Sequence, residues 1–157
     1  MIVAEQKVQI YVRTSDKNSI SIHYPRNEEE PKIFYRVSND TLFVFEATSQ
    51  NQQQPPFVNI YVTSLSSLVA ENNYNVHLGD FSSEKLEINA EQAHISFHNS
   101  SMGEVIIQAD HSEILMYSTK VASITGRLEN DSRLRCDSKG ILKMEVVKDQ
   151  NSQFNFY

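Results

Sequence analysis

Five short windows decide the fold: Tyr74-Asn75-Val76-His77-Leu78, Ala93-His94-Ile95-Ser96-Phe97, Ser112-Glu113-Ile114-Leu115-Met116, Ser132-Arg133-Leu134-Arg135-Cys136 and Ser152-Gln153-Phe154-Asn155-Phe156. Their first residues lie 19, 19, 20 and 20 positions apart. In every window the third and fifth residues are apolar, counting Cys136, and the second and fourth are polar except Leu115. Strict alternation marks a strand with one buried face. Recurrence at a fixed short period marks a solenoid, in which each coil buries its apolar side chains against the next.

Other ladders keep the same beat. Leu86 and Ile88 recur as Val105 and Ile107, then less cleanly near Gly126 and Leu128, and near Met144 and Val146. Met102, Val121 and Ile141 form a further ladder. The pattern predicts three short strands per coil, with coils stacked about 4.8 Å apart and wound right-handed, the default for parallel crossovers. Polar ladders fall at one corner: Asn72, Glu91, Asp110, Asn130 and Gln150, then Asn73, Gln92, His111, Asp131 and Asn151. Such side chains satisfy backbone groups that a bend leaves unpaired. The competing architecture is an antiparallel sandwich. Its hairpins favour Asn-Gly or Asp-Gly turns, and this region has neither.

The expectation is an all-β, single-stranded, right-handed parallel β-helix with 19–20 residues per coil over residues 63–157. Residues 1–62 read as an irregular β cap of the same single domain, 1–157. There Val8, Ile10 and Val12 alternate, as do Ile20 and Ile22, then Ile33, Tyr35 and Val37. Residues 26–32 read as a charged loop, Ser38-Asn39-Asp40 as a turn, and 49–56 as a polar loop. About 60 residues make a weak core alone, so a cap is favoured over a second domain.

Composition narrows function. The 157 residues carry a net charge of −6, with a pI near 5.3, and no basic patch interleaved with aromatics. Nucleic acid and anionic membrane surfaces are therefore not expected partners. A single cysteine, Cys136, rules out an internal disulfide. No apolar run approaches the ~20 residues of a membrane span. Met1-Ile2-Val3-Ala4-Glu5-Gln6 lacks the basic and apolar sequence of a signal peptide.

The chemistry-bearing residues fall into the repeat. His77, His94 and His98 occupy outward strand positions, His111 a corner, and His23 the N-terminal part. A metal needs three or four converging ligands, and no third ligand is evident, so no metal or cofactor is expected. One outward column reads Asn75, His94, Glu113, Arg133, Gln153. A carboxylate pair for acid–base work is not visible in it, and Glu113 beside Arg133 reads as a surface ion pair. Cys136 lies in the column Leu78, Phe97, Met116, Cys136, Phe156, which reads as core. No nucleophile elbow, Walker loop or dinucleotide fingerprint occurs. The exposed face to consider for binding is His77, His94, Glu113, Arg133 and Arg135.

Two stretches and the serine-led windows resemble the bacterial family described as putative auto-transporter adhesin, head GIN domain. The stretches are Tyr35-Arg36-Val37-Ser38-Asn39-Asp40-Thr41-Leu42 and Val58-Asn59-Ile60-Tyr61-Val62-Thr63-Ser64-Leu65-Ser66-Ser67-Leu68. The resemblance covers roughly residues 33–157. In that family a Ser-Gly-Ala-Ser segment often precedes each strand; here only its last serine remains, as Ser112, Ser132 and Ser152. The resemblance implies a bacterial protein exported to the periplasm or outer-membrane surface, its signal peptide removed, with a non-catalytic adhesive role toward a surface glycan or protein. It brings no catalytic residues. Two alternatives stand beside it. One is a structural polymer similar to bactofilins, joined as a homo-oligomer through the coil end at Phe154-Asn155-Phe156-Tyr157. The other is a pectin-lyase-like carbohydrate-active enzyme.

Overall fold

In the computed structural model, which describes residues 1–5, 9–24, 32–38, 41–47, 57–72 and 75–157, the alternating windows lie in strands that stack in parallel. The N-terminal strands are β1 (Ile2–Glu5), β2 (Gln9–Thr14), β3 (Ser19–His23), β4 (Lys32–Ser38), β5 (Thr41–Ala47) and β6 (Phe57–Val62). Next come β7 (Ser67–Glu71), β8 (Asn75–Gly79), β9 (Ser82–Glu91), β10 (His94–His98) and β11 (Ser101–Asp110). The last are β12 (Glu113–Tyr117), β13 (Lys120–Glu129), β14 (Arg133–Cys136), β15 (Ile141–Lys148) and β16 (Gln153–Phe156). No helix occurs among the described residues.

From β7 onward each coil gives one strand to each of two eight-stranded sheets. The first sheet runs β7-β9-β11-β13-β15 and the second β8-β10-β12-β14-β16, with every neighbour parallel. This is a parallel β-solenoid. The column predicted from the windows is in register, Leu78–Phe97–Met116–Cys136–Phe156, and Val12 of β2 extends it. Val12 through Cys136 are fully buried, whereas Phe156 in the outermost coil is exposed.

Three details differ from the sequence reading. The coil has two strands, not three. Met102, Val105, Ile107 and Ala109 are the buried residues of β11. Their parity changes between 102 and 105, so one continuous strand turns a corner there and serves two faces. Second, the ladder from Leu86 and Val105 continues to Ile124 and Met144, and that from Ile88 and Ile107 to Gly126 and Val146. The expected echo at Gly126 and Leu128 is displaced by two, because a glycine stands where an apolar residue is sought. Third, the corner ladder is Asn72, Gln92, His111 and Asn130. All four have positive φ, between 47° and 63°. The turn from β13 to β14 contains one residue more than the turn from β11 to β12, and Asp131, also at positive φ, takes up the excess. Tyr74, the first window's lead residue, lies outside the described residues, as do the expected loop at 49–56, the turn residues Asn39 and Asp40, and all of the expected loop at 26–32 except Lys32, which begins β4.

The N-terminal part enters the stack out of chain order. β1 pairs in parallel with both β5 and β7, and β2 with both β6 and β8. The coil β1–β2 therefore sits between the coils β5–β6 and β7–β8. Capping at that end falls to β3 and β4, which pair antiparallel with β6 and β5. At the other end β15 and β16 form the sheet edges, and Leu142, Val147, Phe156 and Tyr157 are exposed there.

The window-leading serines have a structural task. Ser112, Ser132 and Ser152 are buried. The Ala93 amide donates to Ser112 Oγ at 3.0 Å, the Ser112 amide to Ser132 Oγ at 3.1 Å and the Ser132 amide to Ser152 Oγ at 3.2 Å. Ser132 Oγ in turn donates to the Glu129 carbonyl at 2.6 Å. Each hydroxyl thus satisfies a buried amide of the preceding coil at a corner where the sheet ladder is interrupted. Ser132→Ala leaves the Ser112 amide without its acceptor, at a cost of about 1–3 kcal/mol. Thermal denaturation followed by circular dichroism should show a Tm lowered by roughly 4–8 °C, taking the middle of that cost.

Candidate binding face

The outer surface of the second sheet collects the candidate residues. Two neighbouring columns run up it. One is Tyr11, His77, Ser96, Leu115, Arg135 and Asn155; the other is Gln9, Asn75, His94, Glu113, Arg133 and Gln153. All five residues singled out in the sequence stand in these columns. Their grouping follows from period-two alternation in strands that stack in register.

The structure joins them into two small networks. Glu113 lies 3.2 Å from His94 Nδ1 and 3.7 Å from Arg135 Nε. The arginine that reaches it is thus Arg135 of the neighbouring column, not Arg133 directly above it. Arg133 makes no ion pair among the described residues. Below, His77 Nδ1 bonds Ser96 Oγ at 2.7 Å, and its ring stacks on Tyr11 with centroids 5.0 Å apart. Burial, with smaller contributions from His94 and His98, holds the His77 pKa below its ordinary value. The imidazole is therefore favoured in its neutral form, which both donates and accepts.

An aromatic ladder beside these columns was not visible in the sequence. The His98 ring stacks on Tyr117 at 5.1 Å, and Tyr117 on Tyr157 at 5.3 Å. Tyr157 is anchored by its hydroxyl, which donates to the Met116 carbonyl at 2.7 Å. Desolvation leads the causes that push its pKa up to about 12. At the opposite end His23 stacks on Phe57 at 4.6 Å, and Phe57 meets Tyr11 edge-on. Planar rings, those of His and Tyr with a polar edge, therefore line both ends of this face.

The first sheet carries a different column, also missed: Glu71, Glu91, Asp110 and Glu129, in register. The signal was present as an acidic residue just before each turn, at spacings of 20, 19 and 19. These carboxylates line a concavity of about 580 Å³. Asn130 and His111 bond Asp110 at 3.0 and 2.6 Å, and Arg127 pairs with Glu129 at 3.2 Å. Asn130, ahead of His111, holds the Asp110 carboxyl below the usual range. Among the described residues no group of three or more His, Cys, Asp or Glu is placed to hold a metal ion.

Cys136 is wholly buried, and desolvation raises its thiol pKa to about 12. A thiol held protonated is a poor nucleophile, so its place in the core column accounts for it. No helix among the described residues is long and apolar enough to cross a membrane.

Fold and face together define a class: a parallel β-solenoid that displays ladders of rings and charges on the outer face of a sheet. The chain belongs to the family described as "Putative auto-transporter adhesin, head GIN domain", whose model matches residues 1–155. The match takes in the first 32 residues, which the resemblance seen in the sequence leaves out. The structure is similar to that of a putative adhesin from Bacteroides fragilis, with a TM-score of 0.62 and 12% identity over 99% of this chain and 91% of that one. A second solved structure, that of a putative adhesin from Parabacteroides merdae, matches with a TM-score of 0.40 and 10% identity over 99% and 90% of the two chains. At 12% identity the likeness to the Bacteroides fragilis protein speaks to fold alone. No curated protein matches the chain.

Proposed function

We propose that the protein is an exported, non-catalytic surface protein that binds a glycan or protein through the outer face of its second sheet. The family description supports the adhesive, exported role. The observation that carries the assignment to this face is the network of His94, Glu113 and Arg135 beside the stacked Tyr11 and His77. Rings with polar edges suit sugar faces and peptide side chains alike. His77, His94, Glu113, Arg133 and Arg135 form the centre of the contact. These side chains are 32–41% exposed and their pairs stabilise the fold little, which leaves their hydrogen-bonding capacity available to a partner.

A glycan array, paired with an assay for oligosaccharide cleavage, tests this reading. The expected result is retained binding without product. Combining Glu113→Gln with Arg135→Ala should weaken that binding at least tenfold and leave the Tm within about 2 °C, as for surface substitutions of roughly 0.5 kcal/mol. Unaltered binding would move the site off this face. Cleavage products would overturn the non-catalytic reading.

A further inference from the structure

Gly79 has no structural reason to be a glycine. The chain has only four, and the other three are explained by crowding. A Cβ would meet backbone oxygen at 2.4 Å at Gly103, 1.9 Å at Gly126 and 2.1 Å at Gly140. At Gly79 nothing lies within 4 Å, and the backbone there is not in the left-handed region. Glycine inside a strand also weakens it. The absent side chain leaves open space on the outer face of the sheet at this position.

The register shows what the missing side chain opens. Gly79 pairs with His98, which pairs with Tyr117. On the other side Arg13 follows Val12, the partner of Leu78, and pairs with Tyr61. One residue past the last β2–β8 pair, Arg13 (with Tyr61 beyond it) and Gly79 (with His98 and Tyr117 beyond it) both border one notch, and of these positions Gly79 alone has no side chain. Arg13 and His98 are two strand spacings apart, roughly 9.6 Å. A flat ring between two faces needs about 7–8 Å. The resulting notch has a volume of about 270 Å³, just below the ~300 Å³ at which pockets for drug-sized ligands begin.

Its lining is mixed. Tyr11 and His77, stacked on each other, form one wall, and His98 with Tyr117 behind it another. Arg13, Asp80 and Asn99 also border the notch. Arg13 and Asp80 have no ion-pair partner among the described residues. Asp80 and Asn99 are held at φ of 50° by corner turns, with the Asp80 amide bonded to the His98 carbonyl at 3.0 Å. An arginine fork suits a carboxylate, planar carboxylate and amide groups suit hydroxyls, and the rings suit a sugar's C–H face.

We infer that the notch over Gly79 is a subsite for one carboxylate-bearing pyranose, a hexuronic or sialic acid, with Arg13 taking the carboxylate and Asp80 and Asn99 the ring hydroxyls. The inference names the ligand class of the face proposed above and rests on that reading. The net charge of −6 does not oppose it decisively, because exposed charges beyond about 8 Å are largely screened at physiological salt.

The test titrates the full chain with methyl β-D-glucuronide, with sialyllactose and with neutral methyl β-D-glucoside, following the imidazole resonances of His77 and His98 by nitrogen-correlated NMR. One or both acidic sugars should shift these resonances saturably, and the arms identify the source; the neutral glycoside should bind at least tenfold more weakly. Gly79→Leu fills the notch and should abolish the shifts while the Tm stays level or rises. Arg13→Gln should remove the preference for the acid. Equal binding of the neutral glycoside, or binding unaltered in Gly79→Leu, overturns the proposal. If Gly79→Leu still binds the glycan array, the sheet face functions without this subsite. If the wild-type chain binds nothing on the array, the broader reading fails as well.

Discussion

Gly126→Ala is expected to lower the Tm by about 8–16 °C, or to leave no folded protein. The new Cβ would stand 1.9 Å from the Ile107 carbonyl oxygen and within 2.8 Å of the Ile107 carbon and nitrogen. These are backbone atoms of the paired strand, so no side chain can swing aside. The residue also has a φ of +144°, which L residues rarely adopt. Strain of that kind costs about 1–3 kcal/mol, and overpacking a well-filled core adds about 1–3 kcal/mol. The middle of the combined range, about 4 kcal/mol, is large for a single methyl group, and each kcal/mol corresponds to roughly 2–4 °C in a domain of this size. Gly79→Ala is the control, since its Cβ meets nothing within 4 Å. Its Tm should be unchanged or slightly raised. Urea denaturation of both variants compares them directly, and a Gly126→Ala midpoint within error of wild type would refute the close approach at Ile107.

Alternation and period expose the repeat because both reflect burial, and burial is what a coil needs from its sequence. The columns from Leu78 to Cys136 and from Asn75 to Gln153 were legible for that reason. Gly126 defeated the ladder because close backbone approach replaces a side chain there, and no apolar residue marks the position. The order of the N-terminal coils was not legible either. Nothing in the alternation of Ile10 and Val12 says that β2 will pair with both β6 and β8. The candidate face inherits this division. His94 and Glu113 come from consecutive windows, so their meeting could be anticipated. Arg135 reaches Glu113 from the next column by side-chain length. Tyr11 and Arg13 arrive through the out-of-order coil, so the notch over Gly79 could not be assembled from sequence spacing.

Position along the stack should set the cost of losing a core ring. Phe97 is wholly buried, with Leu78 and Met116 as its column neighbours. Phe97→Ala removes packing from two coil interfaces at once, and a buried Phe→Ala costs about 3–5 kcal/mol. The Tm should fall by roughly 6–20 °C. Phe156 belongs to the same column but is 53% exposed in the outermost coil. Phe156→Ala touches one interface, and its effect should stay below about 1 kcal/mol, seen mainly as faster amide exchange in β16. Solenoid stability is close to a sum of coil and nearest-neighbour interface terms, and in that scheme the two substitutions differ by the whole of an interior interface. Hydrogen exchange measured residue by residue separates global unfolding in the first variant from fraying in the second. If Phe156→Ala instead lowered the Tm as much as Phe97→Ala, the outermost coil would have to be covered in solution, with β15 and β16 paired to a further strand on each sheet.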